Sequence, residues 1–212
     1  MISVPREKVA VLIVSHDRRM DLDTYQGLLE CLPYYYAPLF WAGVSDVALA
    51  RNHVFNRFVE KFTEFEWAML IDSDIGFSKS DWELLWEGPE DVVCAEYSKK
   101  VIGEPPAHMG LGFTRVHRSV FERIKELRNE DGSERVPQFY HQGELYTSYC
   151  STGANAEGRW VGEDKTFLFY AALTGATYRI ETRTRLRHIG SFAYHYPQQI
   201  PDFTDVTGMG AN

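Results

Sequence analysis

The segment Trp67-Ala-Met-Leu-Ile-Asp-Ser-Asp-Ile-Gly-Phe77 constrains the fold more than any other, because five apolar residues without a polar break end abruptly in two carboxylates, Asp72 and Asp74. A strand with one wet face would alternate, so an unbroken apolar run of this length describes a central strand of a parallel sheet covered on both faces. That restricts the chain to an α/β class. It also locates chemistry, since open α/β sheets bind ligands at the carboxyl ends of their strands. In an extended Asp-x-Asp both side chains point the same way, so both can face one divalent cation. Hard cations that keep positions open for phosphate oxygens favour such carboxylates. Asp-Ser-Asp is equally good turn and helix-capping chemistry. Its place directly after a hydrophobic strand, with further candidate ligands downstream, favours the metal-site reading.

The flanking segments extend the α/β pattern. Residues 9–14 form an apolar β-type run that ends at Ser15-His16-Asp17. Ser45 is a helix cap, and over 46–62 the residues Val47, Val54, Phe55, Phe58, Val59 and Phe62 keep helical spacing. Strand, helix, strand implies a parallel sheet. Ser78 or Ser80 caps a short helix carrying Trp82, Leu85 and Trp86, stopped by Gly88-Pro89, and 91–95 is a further strand. Residues 109–116 predict a strand whose Gly110 and Gly112 would let another group approach the backbone, or mark a bulge. Ser119 then starts a helix with Val120, Ile124 and Leu127 on one face, ended by a turn at 129–133. Residues 137–160 are rich in Tyr, Gly, Gln and Ser without clean periodicity and read as a long loop. A helix over 163–174, stopped by Gly175, and one or two strands over 177–188 complete the pattern. From 197 onward there is no period, and that tail could cover a site or be mobile.

Length and composition set the remaining bounds. With 212 residues, 44% hydrophobic and 25% charged, the chain is expected to form one compact globular domain. Its apolar runs are far short of a membrane span, and the charged N-terminus has no signal-peptide cleavage region, so a cytoplasmic protein with no membrane partner is expected. Cys31, Cys94 and Cys150 are odd in number and unpaired in spacing, which suggests neither a disulfide framework nor a zinc site. A net charge of −8 disfavours indiscriminate nucleic-acid binding. Two local basic segments remain, Lys99-Lys100 and Arg179, Arg183, Arg185 and Arg187, each readable as a solvated face or a phosphate-facing one.

The order of Asp72-Ser-Asp74, Gly110-Leu-Gly-Phe113 with Arg118, Gly162-Glu-Asp164 and His188-Ile-Gly190 resembles glycosyltransferases of the GT-A fold, from about residue 9 to 195. Arg51-Asn52, in the helix before the Asp strand, looks like the Arg-Asn of small bacterial and phage members. The resemblance implies a single-domain, Rossmann-like, mixed and mainly parallel sheet flanked by helices. It would comprise a donor-binding half of about 1–100 and an acceptor and catalytic half of about 101–196, followed by the tail 197–212.

The family likeness also implies a nucleoside-diphosphate sugar donor, usually of uridine diphosphate, held through Mn²⁺ or Mg²⁺. Asp74 would be the direct metal ligand, Asp72 would contact ribose or the metal through its water, and His188 would add a metal contact. Asp164 would be the general base on the acceptor hydroxyl and Glu163 would orient sugar or acceptor. Ser15, His16, Asp17, Arg51, Ser73 and Lys99 are candidates for base, ribose or diphosphate contacts, and Gly110 and Gly112 for close approach of sugar or acceptor. Trp160, Tyr140, Tyr146 and Tyr149 could stack an acceptor ring or anchor their loop. The acceptor could be a glycan, a protein, or, as in some phage relatives, a hydroxymethylated pyrimidine in DNA, which would place a phage-encoded enzyme in the host cytoplasm. A nucleotidyltransferase would use the same paired carboxylates on a nucleoside phosphate, and a binding module would keep the fold without turnover.

Overall fold

The computed structural model describes residues 6–15, 17–35, 37–97, 110–154, 158–190 and 193–195. In chain order the elements are β1 (Val9–Ser15), α1 (Leu22–Cys31), β2 (Ala37–Ala42), α2 (Val47–Lys61), β3 (Trp67–Asp72), β4 (Ile75–Gly76), α3 (Lys79–Leu85), β5 (Val92–Ala95), β6 (Phe113–His117) and α4 (Arg118–Lys125). There follow β7 (Gln138–His141), β8 (Glu144–Thr147), β9 (Gly153–Ala154), β10 (Trp160–Val161), α5 (Glu163–Leu173), β11 (Tyr178–Glu181), β12 (Arg187–Ile189) and β13 (Ala193–His195).

The main sheet has six strands in the order β2-β1-β3-β6-β5-β11. β1 runs parallel to both β2 and β3, and β11 parallel to β5, whereas β6 runs antiparallel to β3 and β5. This is the mixed, mainly parallel α/β sheet that the resemblance implies, and β3 is the central strand that its unbroken apolar run predicts, parallel to β1 but antiparallel to β6. Its period-two alternation supplies both faces with core residues. Ala10, Leu12, Val14, Ala68 and Leu70 pack on one side with Phe55 and Phe58 of α2, Phe121 of α4 and Phe167 of α5. Val9, Val11, Ile13, Met69 and Ile71 pack on the other with Leu28 and Cys31 of α1 and Trp82 and Leu85 of α3. Burial pushes the thiols of Cys31 and Cys150 up to about 12 and that of Cys94 up to about 11, and all three are free.

Local signals account for most element ends. Asp46, one residue beyond the expected Ser45, caps α2 by accepting from Leu49 N at 3.1 Å. Ser78 and Asp81 close a capping box on α3. At its far end α2 is held by Arg118, whose guanidinium donates to the carbonyls of Phe58 at 2.8 Å, Val59 at 3.2 Å and Phe62 at 2.5 Å. Arg118, one of the motif residues of the resemblance, therefore terminates a helix.

Three expectations are corrected. Residues 137–160 are not a structureless loop: β7 and β8 form a hairpin closed by Gln142 (φ 51°) and Gly143 (φ 84°), and β9 pairs with β10. Two successive left-handed residues suit the tight turn that matches strand twist. β7 alternates between exposed and half-buried, and β8 runs from two exposed residues to two buried ones, so no clean apolar period marks them. α1 and β2 were not expected either. α1 leaves Leu22, Tyr25 and Leu29 exposed, which blurs its helical face, and β2 is an edge strand containing Pro38, where a proline is tolerated.

A three-stranded sheet, β13-β12-β4, carries the late segment back to the end of β3, with His188 paired to Ile75. Among the described residues no helix is long and apolar enough to cross a membrane. His16, Lys99 and the tail 197–212 lie outside the described residues.

Candidate functional site

The site begins with the Asp72-Ser73-Asp74 turn, which backbone bonds fix from several sides. Asp72 N donates to Gly112 O at 2.9 Å and Ser73 N to Val14 O at 3.3 Å. Ser73 O accepts from Asp21 N at 2.8 Å and Thr24 Oγ1 at 3.1 Å, and Asp74 O accepts from Ile189 N at 2.7 Å. The last bond follows from the β4–β12 pairing and brings His188 beside Asp74, with Nε2 3.7 Å from Asp74 Oδ1. The Tyr97 ring meets the His188 ring edge-on at 5.4 Å. A pocket of about 100 Å³ opens here, with Val14, Val44, Val47 and Ala50 as apolar wall and Asp72, Asp74 and His188 on the polar side. Ser15 and Ser73 also line it.

Behind the pocket stands Arg51, which projects from α2 and is only 4% exposed. Its Nη2 donates to both oxygens of Asp72, at 2.9 and 3.1 Å. Its Nη1 donates to Glu163 Oε1 at 3.2 Å and to Asp164 Oδ1. Burial disfavours the charge, but the Asp72 and Glu163 carboxylates outweigh it and raise the guanidinium above its ordinary range. Glu163 and Asp164 occupy the first turn of α5, where the helix dipole favours carboxylates and Gly162 supplies no side-chain cap. Arg51, read from the sequence as a candidate for base, ribose or diphosphate contacts, is in the structure an internal cation that joins carboxylates from β3 and α5.

The Gly110-x-Gly112 segment is a close-approach site, and what approaches is the protein itself. A Cβ on Gly112 would lie 2.8 Å from Asp72 Oδ2 and 2.9 Å from the Tyr97 hydroxyl, and one on Gly110 would strike the same hydroxyl and lie 3.3 Å from Asp164 Oδ2. The glycines therefore make room for Tyr97 beneath the two carboxylates. Burial holds the Tyr97 phenol well above its usual pKa, and the Asp72 charge adds to this.

Other expected residues divide clearly. Ser15 Oγ donates to Arg19 O at 2.7 Å and to Asp17 Oδ1 at 3.1 Å, and Asp17 Oδ1 accepts from Arg19 N at 3.1 Å, so these two shape the tip of β1 while Ser15 also lines the pocket. Tyr146 and Tyr149 are buried, whereas Tyr140 and Trp160 are 77% and 73% exposed. Three of the four late arginines meet carboxylates of the chain: Arg179 and Arg183 pair with Glu181, Arg183 also with Glu87 at 2.7 Å, and Arg187 with Asp23 at 2.7 Å, while the Arg185 guanidinium donates to the carbonyls of Arg183 and Thr184.

Sequence reading missed Tyr97 and Asn56, and gave Asn52 no role beyond its place in the Arg51-Asn52 motif. Asn52 Nδ2 donates to Cys150 O at 2.7 Å and its Oδ1 accepts from Cys150 N at 2.8 Å. Asn56 does the same for Thr147, at 2.9 Å in both directions. Two asparagines one turn apart on an otherwise apolar helix face were the available signal, since a buried amide needs partners. Nothing in the sequence marks Tyr97.

As donors to a metal, Asp74 and His188 fit a divalent cation that takes one carboxylate and one imidazole and leaves positions for phosphate oxygens. Both oxygens of Asp72 are engaged by Arg51, so as a direct ligand it would have to give up part of that pairing. Among the described residues no group of three or more His, Cys, Asp or Glu is gathered closely enough to hold a metal ion.

No protein-family model matches the chain, and no curated protein matches its sequence. Among solved structures, the A197 protein from STIV shares the fold with a TM-score of 0.53 and 15% identity, over 87% of this chain and 86% of its own. A glycosyltransferase involved in the glycosylation of the major capsid of PBCV-1 is similar at a TM-score of 0.45 and 14% identity, over 82% of this chain and 81% of its own, a likeness too distant to carry an argument.

Proposed function

We propose that the chain is a metal-dependent glycosyltransferase that moves a sugar from a nucleoside-diphosphate donor, of the uridine type, to a hydroxyl acceptor. The observation that carries the reading is the meeting, at the carboxyl end of β3, of Asp74 with His188 on one side and of Arg51 with Asp72, Glu163 and Asp164 on the other. The apolar wall of Val14, Val44, Val47 and Ala50 suits the flat face of a nucleobase. Asp74 and His188 would hold Mn²⁺ or Mg²⁺. Such an ion neutralises the diphosphate charge that develops as the glycosidic bond breaks. Asp164 would take the proton of the acceptor hydroxyl through its carboxylate, and Glu163, on the same helical turn, would orient the acceptor. The acceptor class is a glycan, a protein or a hydroxymethylated pyrimidine, and the pairing of the late arginines within the chain gives no particular support to the last.

The test is calorimetric titration with a panel of nucleotide sugars, with and without Mn²⁺, on wild type and Asp74→Ala. Binding of one uridine diphosphate sugar that requires both the metal and Asp74 is expected. Absence of binding to every donor would sink the reading, and release of pyrophosphate instead of nucleoside diphosphate would assign nucleotidyl transfer.

A further inference from the structure

We propose that Arg51 is the positioning residue of this site, the group that sets the distance between the carboxylate facing the donor and the carboxylates facing the acceptor. The inference rests on the transfer reaction proposed above. One planar guanidinium presents one edge to Asp72 and its other arm to Glu163 and Asp164, thereby tying the end of β3 to the first turn of α5. A guanidinium can span two such partners because its donors are held in a rigid fork, whereas a lysine ammonium is a single point charge on a flexible stem.

The surroundings make the clamp rigid. Arg51 sits on a helix pegged by Asn52 to Cys150 and by Asn56 to Thr147, and locked at its far end by Arg118. On the opposite side, Tyr97 fills the room left by Gly110 and Gly112, so Asp72 and Asp164 are held between a cation and a phenol. Without the cation, three carboxylates would converge in a half-buried space and repel one another apart. Misplacement of reacting groups by about 1 Å costs on the order of 100-fold in rate.

The sequence-level role of Arg51, a contact to the donor phosphates, makes the opposite forecast, because its loss would first weaken donor binding. The experiment compares wild type, Arg51→Lys and Glu163→Gln. For each, Mn²⁺-dependent binding of the uridine diphosphate sugar selected above is measured by calorimetry, and release of nucleoside diphosphate to water is measured per donor-binding site. Normalising to binding sites removes any loss of folded protein. Arg51→Lys should keep the donor Kd within about fivefold and lower kcat by about 100-fold. Glu163→Gln, which loosens the clamp from the acceptor side, should likewise fall mainly in kcat. Should Arg51→Lys fail to fold, the Glu163→Gln result decides. Retained kcat per site in either folded variant, or a loss confined to donor binding, overturns the proposal and leaves the transfer reaction standing. A wild type that binds no nucleotide sugar overturns both.

Discussion

At the scale of single residues, the site is a set of carboxylates sorted by their partners. Asp74 stands with His188 while Asp72, Glu163 and Asp164 share Arg51. Replacing Asp164 by Asn keeps the shape and removes the base, so we expect donor binding by calorimetry to stay intact and turnover to fall by about 10²–10⁴-fold. Normal turnover in that variant would remove Asp164 from the mechanism. Gly112→Ala would press a methyl group onto Asp72 and the buried Tyr97 hydroxyl; overpacking of this kind costs about 1–3 kcal/mol, readable as a drop in urea midpoint together with weaker donor binding. An unchanged midpoint would mean that Tyr97 moves freely. Asp72 and Asp74 at a strand end and Asp164 at a helix start were legible in the sequence, because the apolar run and the helical segment that place them are both readable there. Tyr97 was not, because a tyrosine after a short apolar strand has many uses and only the packed structure shows which groups crowd it.

At the scale of elements, the β7–β8 hairpin is the least expected piece and the one whose attachment is most specific. Asn56 serves both backbone groups of Thr147, so Asn56→Ala leaves a buried N–H and C=O without a partner and should destabilise the protein by about 2–4 kcal/mol in chemical denaturation. A loss below ~0.5 kcal/mol would show that water replaces the amide. The hairpin also boxes in His53, whose ring stacks on Trp41 at 4.4 Å and meets the edges of Tyr146 at 4.5 Å and His141 at 5.0 Å. Burial lowers the His53 pKa, His141 and Arg57 lower it further, and Glu144 opposes them. The folded form therefore holds His53 neutral more strongly than the unfolded chain, whose histidine titrates near 6.5. Hairpin docking is at full strength above that value and weakens as pH falls below it. Protection factors for hydrogen exchange across 138–150, which correct for the base-catalysed intrinsic rate, should fall between pH 7.5 and 5.5 in wild type and much less so in His53→Phe, which keeps a ring and loses the proton; an equal fall in both would assign the effect elsewhere. The strand-helix-strand pattern around β1, α2 and β3 was readable because its apolar periods are long. This hairpin was not, because aromatic rings and asparagine amides hold it instead of an apolar stripe.

At the scale of the whole molecule, the sheet ends in β2 on one side and β11 on the other, and the two edges differ in kind. At β11 the Glu181 carboxylate is 2% exposed and is served by Arg179 and Arg183, with Glu87 and Glu90 completing a charged border. Charge of this sort protects an edge from pairing with another chain. Burial alone would raise the Glu181 pKa, but hydrogen bonds from Arg183 and Arg179 bring it down to about 2. Its folded pKa is below the ordinary carboxylate value, so the network contributes stability above about pH 4.5 that drains away as pH falls toward 2. Glu181→Gln should cost about 2–3 kcal/mol at neutral pH and flatten the acid limb of a stability profile measured by thermal melting. An acid limb identical to wild type would place the sensitivity in other carboxylates. In the sequence these arginines could be either a solvated or a phosphate-facing set, and only their carboxylate partners, Glu87 and Glu90 between α3 and β5, Glu181 of β11 and Asp23 of α1, distinguish the two.

The direction of β6 bears on how the molecule could be taken apart. Because that strand runs against its neighbours, its first residues meet the last residues of β3, and Gly112 receives the Asp72 N–H across the seam. It also lies between β3 and β5, which precede it in the chain. A fragment ending near residue 100 would have to leave a one-strand gap in its own sheet, with Asp72 beside it and Arg51 still lacking Glu163 and Asp164. The pieces of the candidate site therefore cannot be handed over as two finished modules; a split chain would regain that site only by complementation, with the second piece threading a strand into the middle of the first.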